Sequence, residues 1–216
     1  LVRMTNASDW QGGVGRNWAA EWRRTDVTFS GLTPHLLAAI AREPGQRIID
    51  IGCGAGEVAV AVADARPQAR VVGIDISPDL VAAATERGAG RPNLSFHLAD
   101  ASQWINPEGP SDLYVSRHGV MFFADPAAAF RHLAASATSA TRMVFSCFRA
   151  PAENEWASAI ASLLPTVDAP SEGYVPGPFA FAQPDRVREC LAGWRDLAFT
   201  PVDFAYVAGA GEDPVV

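Results

Sequence analysis

The chain has 216 residues, 49% of them hydrophobic and 19% charged, which is the composition of one folded domain with a substantial core. Its formal charge is −7 and its pI near 5.0, so no overall field draws in phosphate backbones, and a nucleic-acid substrate is disfavoured. All 17 basic residues are Arg, which rules out a Lys base or Schiff base, while Cys53, Cys147 and Cys190 form no CxxC pair and point to a reducing compartment without structural zinc.

At the N-terminus, Leu1-Val2-Arg3-Met4 lacks the apolar core of a signal peptide, and no later run approaches the roughly 18 apolar residues of a membrane span, so the chain reads as soluble and cytoplasmic. Trp18 and Trp22 stand at i,i+4 spacing on an expected helix, either as core or as a cover over a ligand. Thr33 reads as the N-cap of a helix through Ala41, with Pro34 at its first position. Ile48-Ile49-Asp50-Ile51 is then a strand, Gly52-Cys53-Gly54-Ala55-Gly56 a tight turn, and Val58 to Ala63 a buried helix.

Arg70 to Asp75 is a second strand, and Ser77-Pro78-Asp79 opens a helix to Arg87. Leu94 to Ala99 is a third strand ending at Asp100, and Asp112 to Ser116 a fourth, ending in Ser116-Arg117-His118-Gly119. Asp125-Pro126 caps a helix through Ala135, and Thr141 to Phe148 is a fifth strand. Strands alternating with helices describe an α/β, doubly wound, mostly parallel sheet with helices on both faces. Residues 149–183 interrupt this rhythm with prolines and glycines after the carboxyl end of a strand, where open α/β sheets bind ligands; we read them as a substrate lid, with a helix over Asn154 to Leu164. Pro184 starts a helix to about Ala192, and Arg195 to Ala208 reads as one long strand or two short ones. No repeat or linker divides the chain, so residues 1–216 form one domain, with 1–45 as an N-terminal helical cover.

A dinucleotide site asks for G-x-G-x-x-G, but counted from Gly52 the third glycine falls on Glu57, an acid facing where phosphates would lie. What stands instead is Asp50-x-Gly52-x-Gly54-x-Gly56, with Asp75 following Asp50 by 75 − 50 = 25 residues. With Gly73-Ile74-Asp75-Ile76-Ser77, Ala99-Asp100-Ala101 and Ser116-Arg117-His118-Gly119-Val120-Met121-Phe122-Phe123-Ala124-Asp125-Pro126, the chain resembles the class I S-adenosylmethionine (SAM)-dependent methyltransferases, in their ubiquinone/menaquinone-type small-molecule branch.

That resemblance implies a Rossmann-like sheet and SAM as cofactor, with S-adenosylhomocysteine (SAH) as product. It implies that the backbone of Gly52, Gly54 and Gly56, with Ile51 and Cys53 beside them, approaches the methionine and ribose, and that Asp50 orders the turn. Asp75 would accept both ribose hydroxyls, Ile76 would pack on the adenine, Asp100 would accept from its exocyclic amine beside the Ala101 N–H, Ser116 would line the methionine end, and Trp18 would belong to the cover. His118, at the rim of the methyl site where relatives carry an aromatic or aliphatic residue, is either a general base or a space-filler.

The acceptor expected is a small, partly apolar metabolite gripped by a lid containing Trp156, Tyr174, Phe179 and Phe181. No cluster of Asp, Glu and His suggests a metal. The family's final helix and strand are expected to be missing, because Thr200-Pro201 makes a poor hairpin turn. Two alternatives stay open, an NAD-dependent oxidoreductase, disfavoured by Glu57, and a non-catalytic regulator that binds SAM or a metabolite.

Overall fold

Five short β-branched, apolar segments pair in parallel in the computed structural model, which describes residues 6–163, 174–191 and 193–207. They are β1 (Arg47–Ile51), β2 (Arg70–Asp75), β3 (Leu94–Leu98), β4 (Ser111–Arg117) and β5 (Ala137–Ser146), in the order β3-β2-β1-β4-β5. The order reverses between β1 and β4, and the carboxyl ends of these strands meet there, at the switch point where such sheets hold ligands. The last strand, β5, is present along one edge, its register on β4 shifting between Ser111 and Leu113. No residue after it joins the sheet among the described residues.

The helices are α1 (Ala7–Trp10), α2 (Gly13–Ala20), α3 (Trp22–Thr28), α4 (Thr33–Arg42), α5 (Glu57–Ala65), α6 (Pro78–Gly88), α7 (Pro126–Ala135), α8 (Glu155–Leu163) and α9 (Pro184–Cys190). Because side chains alternate along a strand, Ile48, Val71, Leu113 and Val115 face one way, packing with α4 and α5 through Leu36, Ile40, Val58 and Val62. Ile49, Ile51, Val72, Ile74 and Tyr114 face the other, packing with Phe130 and Leu133 of α7 and with Phe148 and Phe181. None of the described helices is long and apolar enough to cross a membrane.

One ring sets the spacing under the glycine turn. A Cβ on Gly56, Gly73 or Gly88 would come within 2.9, 2.4 or 2.7 Å of the Phe96 ring, so three glycines make room for it between β2, β3, α5 and α6. Gly56 also has φ +83 as the N-cap of α5. Gly56→Ala therefore combines a left-handed backbone with a clash, and we expect a loss of about 2–3 kcal/mol in urea unfolding.

Several expected elements take a different form. Trp18 and Trp22 do not share a helix: the chain turns at Glu21 (φ −104, ψ 18), close enough to helical that the i,i+4 spacing hides the break between α2 and α3. Thr33 is the first residue of α4 and not its cap; its hydroxyl donates to the Phe29 carbonyl (3.1 Å). Asp125 caps α7 as expected, accepting from the Ala128 N–H at 2.9 Å. The stretch expected as strand over 195–208 lies within the described residues to 207 and makes no ladder there. Its alternating Val202, Phe204 and Tyr206 pack on the core beside Phe29, and the Thr28 hydroxyl donates to the Val207 carbonyl at 2.9 Å.

Candidate functional site

A cavity of about 750 Å³ opens at the carboxyl ends of the strands, a volume suited to a cofactor-sized ligand with room beside it. The ends of β1, β2 and β3 give it a polar half. In the turn after β1, Gly52, Gly54 and Gly56 have φ of +61, +54 and +83, and each uses that freedom differently. A Cβ on Gly52 would lie 2.8 Å from the Gly119 Cα, so Gly52 lets the turns after β1 and β4 touch, whereas a Cβ on Gly54 would meet nothing within 4 Å. Gly54 thus presents bare backbone to the cavity. Gly56, expected to approach the ligand with the other two, is not among the residues that line the cavity and packs against Phe96.

Asp75, at the end of β2, is buried and accepts from the Gly54 N–H (2.9 Å) through one oxygen and from the Ser77 N–H (2.9 Å) through the other. Each oxygen keeps a further lone pair. Burial pushes its carboxyl above the ordinary range, and the Ser77, Gly54 and Ile76 backbone donors hold part of the shift back. Ile76, Ala101 and Asp100 line the same wall; one Asp100 oxygen accepts from the Ser102 N–H and hydroxyl at 2.9 and 2.7 Å.

Asp50 lies deeper in the wall, 1% exposed, and neither of its oxygens makes a hydrogen bond of normal geometry. Burial pushes its pKa up to about 7, eased by the Arg117 charge and the nearby Ala59 backbone, with Asp75 adding to the rise. Such an orphaned carboxyl, beside a turn with no side chain on Gly54, fits a ligand carrying positive charge. Cys53 is buried against Gly73, and burial pushes its thiol well above the ordinary range, so it fills space in the turn.

Two residues that the sequence did not single out join this half. Asp26 of α3 contacts Arg87 of α6 at 2.8 Å and Arg117 of β4 at 3.9 Å, and Arg117 also bonds Glu57 and, at 2.8 Å, the Thr33 hydroxyl. Burial, a hydrogen bond with Glu57 and the Glu57 charge push Asp26 up to about 7, while Arg87 and Arg117 oppose the rise. Only the tertiary fold brings these four charges together. Above them Trp10 sits edge-on to Trp18 (5.7 Å) and Phe122 (5.1 Å), so α1 and α2 wall the cavity, and Trp18 lines it.

The ends of β4 and β5 make the other half, and it is aromatic. His118 has φ +62, an unusual value for a residue with a side chain, and its N–H donates to the Ser146 carbonyl (3.2 Å), joining the two strand ends. Its ring stacks on Phe148 at 4.2 Å and meets Phe29 edge-on at 5.0 Å. Burial, then the Arg117 charge, pushes its pKa down to about 3, so the ring is neutral and does not titrate near pH 7 as a free His would. Ser116 does not line the cavity as expected: its hydroxyl donates to the Ile51 carbonyl (2.7 Å) and accepts from the Gly119 N–H (3.1 Å), tying β1 to β4 from behind.

Of the expected lid aromatics, Trp156 lines the cavity. Phe181 is buried in the core, and the Tyr174 hydroxyl donates to the Phe123 carbonyl (2.8 Å), so these fasten the segment and do not grip a ligand. Residues 164–173 of the lid lie outside the described residues. His35, His97 and His132 stand away from the cavity.

The strand order, the glycine turn and the acids after β2 and β3 define a Rossmann-like fold of the class I methyltransferase type. Residues 48–139 match the family model described as a methyltransferase domain. The chain is 32% identical to trans-aconitate 2-methyltransferase of Escherichia coli over 126 residues, covering 58% of this chain and 46% of that protein. To the protein of the same name from Streptomyces avermitilis it is 45% identical over 80 residues, 36% of this chain and 29% of that one. The chain thus spans under half the length of these curated relatives.

Among solved structures it resembles magnesium protoporphyrin IX methyltransferase from Synechocystis PCC 6803 with bound SAH, at TM-score 0.58 and 20% identity, covering 82% of this chain and 85% of that one. A structure from the conversion of a disulfide into a thioacetal during echinomycin biosynthesis gives TM-score 0.57 at 21% identity, covering 74% and 65%. At these identities the likeness concerns the fold.

Proposed function

We propose that the chain binds SAM in this cavity and transfers its methyl group to an oxygen, carbon or nitrogen of a small-molecule acceptor, releasing SAH. The observation that carries the reading is Asp75, buried, held by two backbone donors with lone pairs to spare, and set against the bare backbone of Gly54. In this reading Asp75 takes the ribose hydroxyls, the free oxygen of Asp100 and the Ala101 N–H take the adenine edge, and Ile76 packs on its face. Gly52, Gly54, Ile51 and Cys53 form the floor under the methionine part, and the charge of Asp50 meets its cationic end. SAM supplies the electrophilic methyl carbon. The chain supplies alignment and dryness, through the floor of the turn, the cover of Trp10 and Trp18, and the wall at His118.

The whole chain acts as one domain, with the helices up to residue 45 as cover and residues 149–183 as lid. His118 is a neutral wall and not the base. We therefore expect His118→Ala to lower kcat/KM about tenfold through lost packing while leaving any pH–rate limb between pH 6 and 8 in place. Against a nicotinamide cofactor stands Glu57, whose carboxylate lines the cavity where a pyrophosphate would have to sit. Titration calorimetry tests the reading: saturable SAM and SAH binding without NAD binding supports it, and NAD binding without SAM binding refutes it.

A further inference from the structure

The acceptor half of the cavity has a chemistry of its own, and it differs from what an anionic acceptor needs. Of the cavity's six carboxyl groups, those of Asp26, Asp50, Glu57, Asp75 and Asp100 belong to the cofactor half and Asp125 follows β4, and the one guanidinium among the described lining residues is that of Arg117. Arg117 is already engaged by Glu57, Asp26 and Thr33, and its guanidinium lies 5.1 Å from the centre of the Phe29 ring. An incoming carboxylate would find no free cation in the lining.

The surface that remains is a continuous aromatic wall. Phe29 meets His118, His118 stacks on Phe148 at 4.2 Å, Phe148 meets Trp156 at 5.3 Å, and Trp156 stacks on Tyr206 at 5.1 Å with 19° between the planes. Only Trp156 of this set comes from the expected lid; Tyr206 comes from the extended C-terminal stretch that was expected to be strand. His118 Nδ1 and Trp156 Nε1 are buried in the wall without hydrogen-bond partners, so a small shift of either ring would offer a bond to a neutral polar function on an incoming ring. None of the five residues of the wall is a carboxylate, so an ammonium ion gains no ion pair on it.

We infer that the acceptor is a planar, uncharged ring compound with a neutral hydroxyl or carbonyl, bound against the wall formed by Phe29, His118, Phe148, Trp156 and Tyr206. This rests on the methyltransferase reading above, and it sets the chain apart from relatives named for trans-aconitate, a tricarboxylate.

Three probes of one ring and three charges test it: 1-naphthol, 1-naphthoate and 1-naphthylmethylammonium, titrated by equilibrium dialysis at pH 7.5 into the whole chain saturated with SAH. The expected result is 1-naphthol at least tenfold tighter than either ion, with trans-aconitate not binding. Trp156→Ala, first shown to be folded by circular dichroism, should weaken 1-naphthol at least fivefold. An ionic probe or trans-aconitate binding as tightly as 1-naphthol, or no 1-naphthol binding at all, overturns the inference. SAH titrated alone reports separately on the cofactor reading: if SAH fails to bind, that reading falls first and this one with it.

Discussion

Asp75→Ala is expected to weaken SAH binding by at least about 100-fold, close to 3 kcal/mol. The carboxylate in this reading accepts two ribose hydroxyls, and charge-assisted hydrogen bonds contribute roughly 1.5–3 kcal/mol each when a partner is left unpaired. The loss also has an indirect part. Asp75 holds the Gly54 and Ser77 N–H groups at 2.9 Å, so its removal frees two backbone donors and loosens the floor of the turn. Asp75→Asn separates the two: it keeps the size but sets an amide N–H₂ against one of those donors, and it should bind SAH better than Asp75→Ala yet still well below the natural chain. Calorimetry on variants with unchanged circular dichroism makes the comparison. A change under threefold in Asp75→Ala would remove Asp75 from the ribose site.

Asp50→Asn is expected to stabilise the ligand-free chain at pH 8 and to change little at pH 4. Burial raises Asp50 from 3.8 to about 7, so the folded chain holds a proton that the unfolded chain has released across that interval. Stability from this group is therefore full below about pH 4 and is lost as pH rises through about 7. Three pKa units correspond to roughly 4 kcal/mol as an upper bound, so we expect about 2–4 kcal/mol of gain in the Asn variant at pH 8, or roughly 4–12 °C in melting temperature. Asp26, also raised to about 7, gives the same slope and remains in the variant, so the pH dependence shrinks without vanishing. Melting curves at pH 4.5 and 8 decide the matter; an Asn variant no more stable than the natural chain at pH 8 would show that Asp50 is not held unpartnered in the wall. The buried charge that destabilises the ligand-free fold is what a cationic ligand would relieve, so SAM should stabilise the natural chain more than Asp50→Asn at pH 8.

That the glycine turn and the acids after β2 and β3 gather in one half of the cavity was largely legible from the residues because local chemistry dictates it. A run of Ile needs a strand, alternate glycines need positive φ, and acids at strand ends in parallel order fall on one edge of the sheet. Gly56 and Ser116 show the limit of that reading. Both occupy positions that suggest ligand contact, yet one faces the Phe96 ring and the other bonds the Ile51 carbonyl, and neither partner is close in sequence. The group of Asp26, Glu57, Arg87 and Arg117 was illegible for the same reason, since its members come from α3, α5, α6 and β4. Periodicity misled in two places. It sees that one face is apolar but not what covers it, so residues 202–206 looked like strand although they pack beside Phe29, and Trp18 and Trp22 looked like one helix across the bend at Glu21. The two readings of His118 differ in its surroundings, which the sequence does not show: its ring is buried, stacks on Phe148, and has its pKa pushed down to about 3 by burial and the Arg117 charge.

The most direct test is a crystal structure of the chain soaked with SAH. The expected density places the ribose on Asp75, the adenine between Ile76 and the Asp100–Ala101 edge, and the homocysteine over Gly52 and Gly54, with its sulfur turned toward His118 and the aromatic wall. SAH bound elsewhere, or in this cavity with its sulfur turned away from His118, would contradict the assignment of the two halves.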